Sequence, residues 1–282
     1  MLIIDSTKTL ANGVEMPRFG LGVYKMTNKE EAVEAMVTAL QAGYRAIDTA
    51  SFYDNEVEVG EAVHQAGVLR EDIFITSKVW NNDQGYDETL RAFEVSLKNL
   101  NMDYMDLYLT HWPKPDTFKE TYRAIERLYD EKLIRATGVS NHEPHHLEAL
   151  LSTANVQPMV NQIECHPYLS QQALKEFCTA HQIAVTAWSP LGRGRALNDA
   201  TILKLAEHYG KTAAQIVIRW HLQNDTIVIP KSVTPSRIRS NADVFDFALT
   251  AEHMAIIDAL NKDARTGNHP DLFPYDDPKY NR

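Results

Sequence analysis

Eight times along this 282-residue chain, a short run of Ile, Val, Leu, Thr and aromatic residues gives way to a polar turn and, in most cases, a segment with helical spacing. That alternation constrains the fold more than any other feature. Strands separated by helices of about 10–15 residues build βαβ units around a parallel sheet. The expected strands are 45–49, 72–78, 106–111, 134–140, 158–164, 183–188 and 226–232, with a weaker first one at 18–24. Several are almost continuously apolar, as strands buried on both faces are. Helical spacing is clear at 29–43, 87–100, 118–133, 170–182, 211–223 and 250–262, and Gly43 is placed to end the first of these. About eight units without a Pro/Gly-rich linker predict an α/β chain folded as one closed (β/α)8 TIM barrel domain over residues 1–282. A doubly wound sheet would need G-x-G-x-x-G after its first strand, and Gly20 and Gly22 lack the third glycine. Asn12-Gly13 predicts an N-terminal β-hairpin capping the closed end, and the Pro- and Asp-rich stretch from about 263 predicts an irregular C-terminal tail.

Composition excludes several functions. A formal charge of −10 lacks the basic footprint that nucleic acids and anionic membranes require. No stretch approaches the ~20 apolar residues of a membrane span, and the first residues do not read as a signal peptide. Cys165 and Cys178 are too few for a disulfide framework or a four-thiolate zinc site, and read as reduced thiols. A cytoplasmic monomer acting on a small molecule is the expectation.

Barrel chemistry sits at the carboxyl ends of the strands. The second expected strand ends at Asp48, the third at Lys78 and the fourth at His111, with Tyr53 five residues beyond Asp48. Asp48 can balance a buried Lys78 ammonium. That ammonium beside a phenol is expected to lower the pKa of Tyr53, and a neutral His111 can orient a carbonyl oxygen. The group is a proton donor for an oxyanion. No side chain is an evident nucleophile: G-x-S-x-G is absent and neither cysteine has an activating setting. The attacking group is then a cofactor's hydride. After the last strand, IPKSVTPSRIRSN (229–241) offers Lys231, Ser232, Arg237 and Asn241 where barrels often bind phosphate.

These motifs together make the chain resemble an aldo-keto reductase of the bacterial branch that includes glyoxal/methylglyoxal and 2,5-diketo-gluconate reductases. GYRAIDTASFYDNEVEVG (43–60), ITSKVW (75–80), LTHWP (109–113) and IPKSVTP carry the resemblance, which runs from about Thr7 to about Lys262. It implies that Tyr53 donates the proton, Asp48 and Lys78 tune it, and His111 orients the substrate. It further implies NADPH, with Ser140, Asn141 and Gln162 at the carboxamide, Trp188 stacked on the nicotinamide, and Ser189 and Leu191 along the pyrophosphate. Lys231 and Arg237 would meet the 2′-phosphate. Ser240 replaces the acidic residue that precedes the adenine-contacting Asn in many relatives, which implies a looser adenine grip. Tyr24, Trp80, His111 and Trp112 would wall the substrate site. Brief loops after the fourth and seventh strands imply an open, shallow mouth suited to methylglyoxal or glyoxal, with keto-sugar acids as the alternative and Arg193 and Arg195 as their conceivable partners.

Two readings from other classes compete. A metal-dependent hydrolase could draw on His142, His145, His146, Glu164 and His166, but N-H-E-P-H-H reads as a capped helix start, so no metal is expected. A non-catalytic nucleotide-sensing subunit would not need all four catalytic residue types.

Overall fold

The computed structural model describes residues 2–281. A two-stranded antiparallel hairpin, β1 (Thr7–Thr9) and β2 (Glu15–Pro17), precedes eight parallel strands. These are β3 (Leu21–Gly22), β4 (Ala46–Asp48), β5 (Phe74–Val79), β6 (Met105–Thr110), β7 (Ile134–Ser140), β8 (Val160–Glu164), β9 (Ala184–Trp188) and β10 (Ile227–Val228). They pair in chain order, and the Phe19–Val228 bridge closes first strand against last. The seam is tight: a Cβ on Gly22 would lie 2.8 Å from the Ile229 carbonyl oxygen, so a side chain there would force the strands apart. The last strand ends earlier than its apolar run because Pro230 has no N–H for the ladder.

Helices α1 (Lys29–Gln41), α2 (Glu56–Gln65), α3 (Tyr86–Leu100), α4 (Phe118–Asp130), α5 (Pro144–Leu151), α6 (Gln172–Ala180), α7 (Ala200–Tyr209), α8 (Ala213–Gln223), α9 (Pro235–Ala242) and α10 (Ala251–Asp258) complete the fold. Gly43 follows the α1 cap with φ of 98°, a left-handed conformation that suits glycine. Alternation along the strands explains their continuous apolarity. Ile47, Ile75, Tyr108, Val139, Ile163 and Val185 pack outward in one core with residues of the helices. Ala46, Phe74, Leu107, Ala136, Val160, Ala184 and Ile227 pack in a second core, into which the hairpin inserts Leu10 and Met16. The hairpin thus stoppers the amino end of the barrel, and polar side chains are left to the carboxyl end. The tail is irregular apart from two 3-10 turns, Pro270–Leu272 and Pro278–Tyr280.

Candidate active site

Adjacent strands bring the acid–base group together. The β4–β5 register pairs Asp48 with Thr76, so Lys78 lies one pleat further along the same face. The Lys78 ammonium donates to Asp48 Oδ1 at 2.6 Å and to the Thr49 carbonyl at 2.7 Å, and it is wholly buried. It also lies 5.1 Å from the Tyr53 ring centroid. His111 follows β6 directly, with its ring 5.7 Å from that of Tyr53. The strand-end reading therefore places all four groups at one mouth. A short 3-10 turn (Ser51–Tyr53) presents Tyr53, and Ser51 Oγ ties that turn to β5 by donating to the Lys78 carbonyl at 3.0 Å.

One expectation reverses. Burial first, then Asp48 and Tyr24, push the Tyr53 phenol well above its usual range rather than below it. The cause is chiefly desolvation: the phenolate would lose its hydration in an enclosed pocket, and the nearby Asp48 carboxylate disfavours a second negative charge. Burial drives Lys78 downward against the opposing pull of Asp48. Burial and the Lys78 charge hold His111 well below the usual imidazole range, so the ring is neutral near pH 7. Its buried Nδ1 has no hydrogen-bond partner among the described residues.

The residues assigned to a nicotinamide form a connected patch beside this group. Ser140 Oγ donates to the Gln162 carbonyl at 2.8 Å, and Gln162 Nε2 donates to Asp48 Oδ2 at 2.5 Å. Asn141 Nδ2 reaches the His111 carbonyl at 3.0 Å, while Trp188 Nε1 donates to Asn141 Oδ1 at 2.8 Å. Ser189 follows Trp188 with φ of 47°, turning the chain toward Leu191. Across the seam, Lys231 and Arg237 are exposed and form no ion pair among the described residues, whereas Ser232 and Asn241 are buried. Ser240 bonds back to the Arg237 carbonyl at 3.2 Å. Two free cations flanking a helix start, in a chain of charge −10, suit a phosphorylated ligand.

Residues 18–262 match the Aldo/keto reductase family. The chain belongs to that family. It is 53% identical to the glyoxal reductase of Bacillus subtilis (strain 168), the match covering 95% of this chain and 97% of the relative. It is 46% identical to methylglyoxal reductase DkgA of Escherichia coli (strain K12), over 94% of this chain and 96% of the relative. Among solved structures, a Gox0644 variant in complex with NADPH superposes with a TM-score of 0.91 at 44% identity, covering 95% of this chain and 98% of the other.

In this aldo/keto reductase, Trp80 and Trp112 are only 4% and 8% exposed, because the tail covers them. Phe273 packs 4.4 Å from Trp112, and Trp80 Nε1 donates to the Tyr280 carbonyl at 2.8 Å. Phe52, which sequence reasoning missed, stacks on Trp80 at 3.8 Å. Tyr24 stays exposed, 4.9 Å from the Tyr53 ring. The open, shallow mouth inferred from the brief loops is thus narrowed by an aromatic roof. Its sequence signal was the aromatic density of DLFPYDDPKY (271–280).

Glu164 fastens the roof. Its carboxylate accepts from Thr266 N–H at 2.6 Å, Gly267 N–H at 3.1 Å, the Thr266 hydroxyl and His166 Nε2. Burial opposes the charge, but these bonds prevail and hold the carboxyl below its usual range. Gly267 lies so close to Trp188 that an added Cβ would sit 2.5 Å from Cη2. The five groups weighed as a hydrolase metal site do not converge. His142 turns inward with Nδ1 2.9 Å from the Ser140 carbonyl, and Glu164 pairs with His166. Arg193 and Arg195 are exposed on the loop after β9.

Proposed function

We propose that this chain, acting as one barrel domain, reduces small reactive dicarbonyls such as glyoxal and methylglyoxal to hydroxy-carbonyl products with NADPH. The observation that carries the reading is the buried Asp48–Lys78 pair beside Tyr53 and a neutral His111 at the barrel mouth. Similarity to glyoxal and methylglyoxal reductases and to an NADPH complex supports it. Trp188, Ser140, Asn141 and Gln162 would hold the nicotinamide, Ser189 and Leu191 would line the pyrophosphate, and Lys231, Ser232, Arg237 and Asn241 would hold the phosphorylated adenosine. Bound there, the cofactor supplies the hydride. His111 orients the carbonyl oxygen, and Tyr53 keeps its proton until the oxygen becomes basic enough to take it. Lys78 then faces a phenolate it can stabilise.

The aromatic roof favours compact substrates, and a carbonyl panel ranked by kcat/KM tests this. Methylglyoxal should lead, and a much better steroid ketone would overturn the assignment. Cytoplasmic location and a monomeric state, without nucleic acid or membrane partners, belong to the same proposal. No helix among the described residues is long and apolar enough to cross a membrane.

Arg237→Ala should weaken NADPH binding by at least tenfold while changing NADH little, because a charge-assisted hydrogen bond contributes about 1.5–3 kcal/mol. Fluorescence titration with both cofactors checks it, and equal losses would remove Arg237 from the 2′-phosphate. The pH profile follows from the two signs above. Tyr53 is raised, so it stays protonated up to its usual 10.0, and His111 is lowered, so it stays neutral down to 6.5. Between these limits neither group changes protonation, so any decline of kcat/KM within the window should come on its alkaline side, where the lowered Lys78 ammonium loses its proton. A bell centred near neutrality would contradict the assigned states.

A further inference from the structure

A second cluster lies away from the Tyr53 group, where α5 meets the tail. His145 and His146 stand in the first turn of α5, and Asp271 lies in the Pro270–Leu272 turn. His145 Nε2 is 3.1 Å from Asp271 Oδ1, and His146 Nε2 is 3.4 Å from the same oxygen. The three potential ligand atoms all lie within 4.8 Å of one another. We propose that His145, His146 and Asp271 bind one divalent transition cation of the zinc class, with His269 or solvent completing the shell.

The separations fit that chemistry. Tetrahedral bonds of about 2.0–2.1 Å place neighbouring ligand atoms about 3.3 Å apart, which both nitrogen–oxygen distances already approach. The two imidazole nitrogens lie within 4.8 Å of each other. His269 Nδ1 lies 3.9 Å from Asp271 Oδ2, near enough to be recruited once it releases the Asp271 N–H that it accepts at 3.2 Å. Two imidazoles and one carboxylate suit zinc, cobalt or nickel, whereas magnesium and calcium favour oxygen alone. Asp271 makes no ion pair with Lys or Arg among the described residues, so its charge is available to a cation.

One rearrangement limits the affinity. His146 Nδ1 accepts the Glu143 N–H at 3.2 Å, and a cation on Nε2 moves the ring proton to Nδ1, giving up that bond. Micromolar rather than nanomolar binding is the consequence. When occupied, the site fastens the tail two residues before Phe273, which packs on Trp112. The site stands independently of the proposed substrate.

The test uses the untagged full chain, stripped with chelator and titrated with Co2+ while visible absorption is read. One equivalent should bind with micromolar affinity, giving the strong d–d bands of a tetrahedral nitrogen–oxygen site, and Zn2+ should abolish them. His145→Ala and Asp271→Asn should each weaken binding at least tenfold, with carbonyl turnover and circular dichroism retained. His208→Ala, at the separate His208–His253 pair whose rings lie 5.0 Å apart, should change nothing. Millimolar binding, binding unaffected by the first two variants, or loss of the bands in the third would overturn the proposal.

Discussion

Tyr53→Phe is expected to lower kcat for carbonyl reduction by about 10²–10⁴-fold, the usual contribution of a positioned general acid. NADPH affinity should hold within about twofold, since the lost hydroxyl serves the reacting oxygen and the ring keeps its packing. The pocket leaves no ready substitute donor. His111 is neutral, its surroundings resist protonation, and the Lys78 proton is engaged by Asp48 and the Thr49 carbonyl. Steady-state kinetics with methylglyoxal, beside cofactor fluorescence titration, separates chemistry from binding. A Phe variant retaining more than about a tenth of wild-type kcat would move the proton to another residue, with His111 first in line.

Lys78→Met should be damaged twice. The side chain keeps its approximate length but loses its charge, leaving the buried Asp48 carboxylate without its cation. Breaking a buried pair in this way costs about 3–5 kcal/mol, so Tm should fall by roughly 10 °C. Catalysis should fall as well. The ammonium lies 5.1 Å from the centre of the phenol ring on which charge develops, and a unit charge at that range contributes about 3 kcal/mol at an effective dielectric of about 20, or about 10² in rate. Replacing both partners, as in Asp48→Leu with Lys78→Met, should recover much of the stability and none of the turnover. Recovery of turnover in the double variant would show that the pair acts only as scaffold.

The barrel was legible because its strands and many of its helices follow simple periods, and the site because polar residues end successive strands. α2 was harder for a physical reason. Glu56 and Glu58 are buried while Val57 is 44% exposed, which inverts the usual pattern. Gly60 also sits mid-helix, because a Cβ there would lie 2.3 Å from the Leu100 carbonyl oxygen of α3. The sign of the Tyr53 shift depends on how fully the folded mouth desolvates the phenol, and spacing does not encode that burial. The roof was equally hidden: the contact of Trp80 with Tyr280 spans 200 positions and follows no local period.

The aromatic roof belongs to neither main core. Trp80, Trp112 and Phe273 form a cluster of their own, flanked by Phe52, Trp188, Tyr275 and Tyr280. The hairpin-stoppered interior and the helix-facing layer draw their residues from elsewhere. On the proposed reading, selectivity and foldability are therefore written in largely separate parts of the chain. A combinatorial library confined to positions 273–280 would vary what enters the mouth while most members still fold, so screening would sample chemistry rather than rescue of the scaffold.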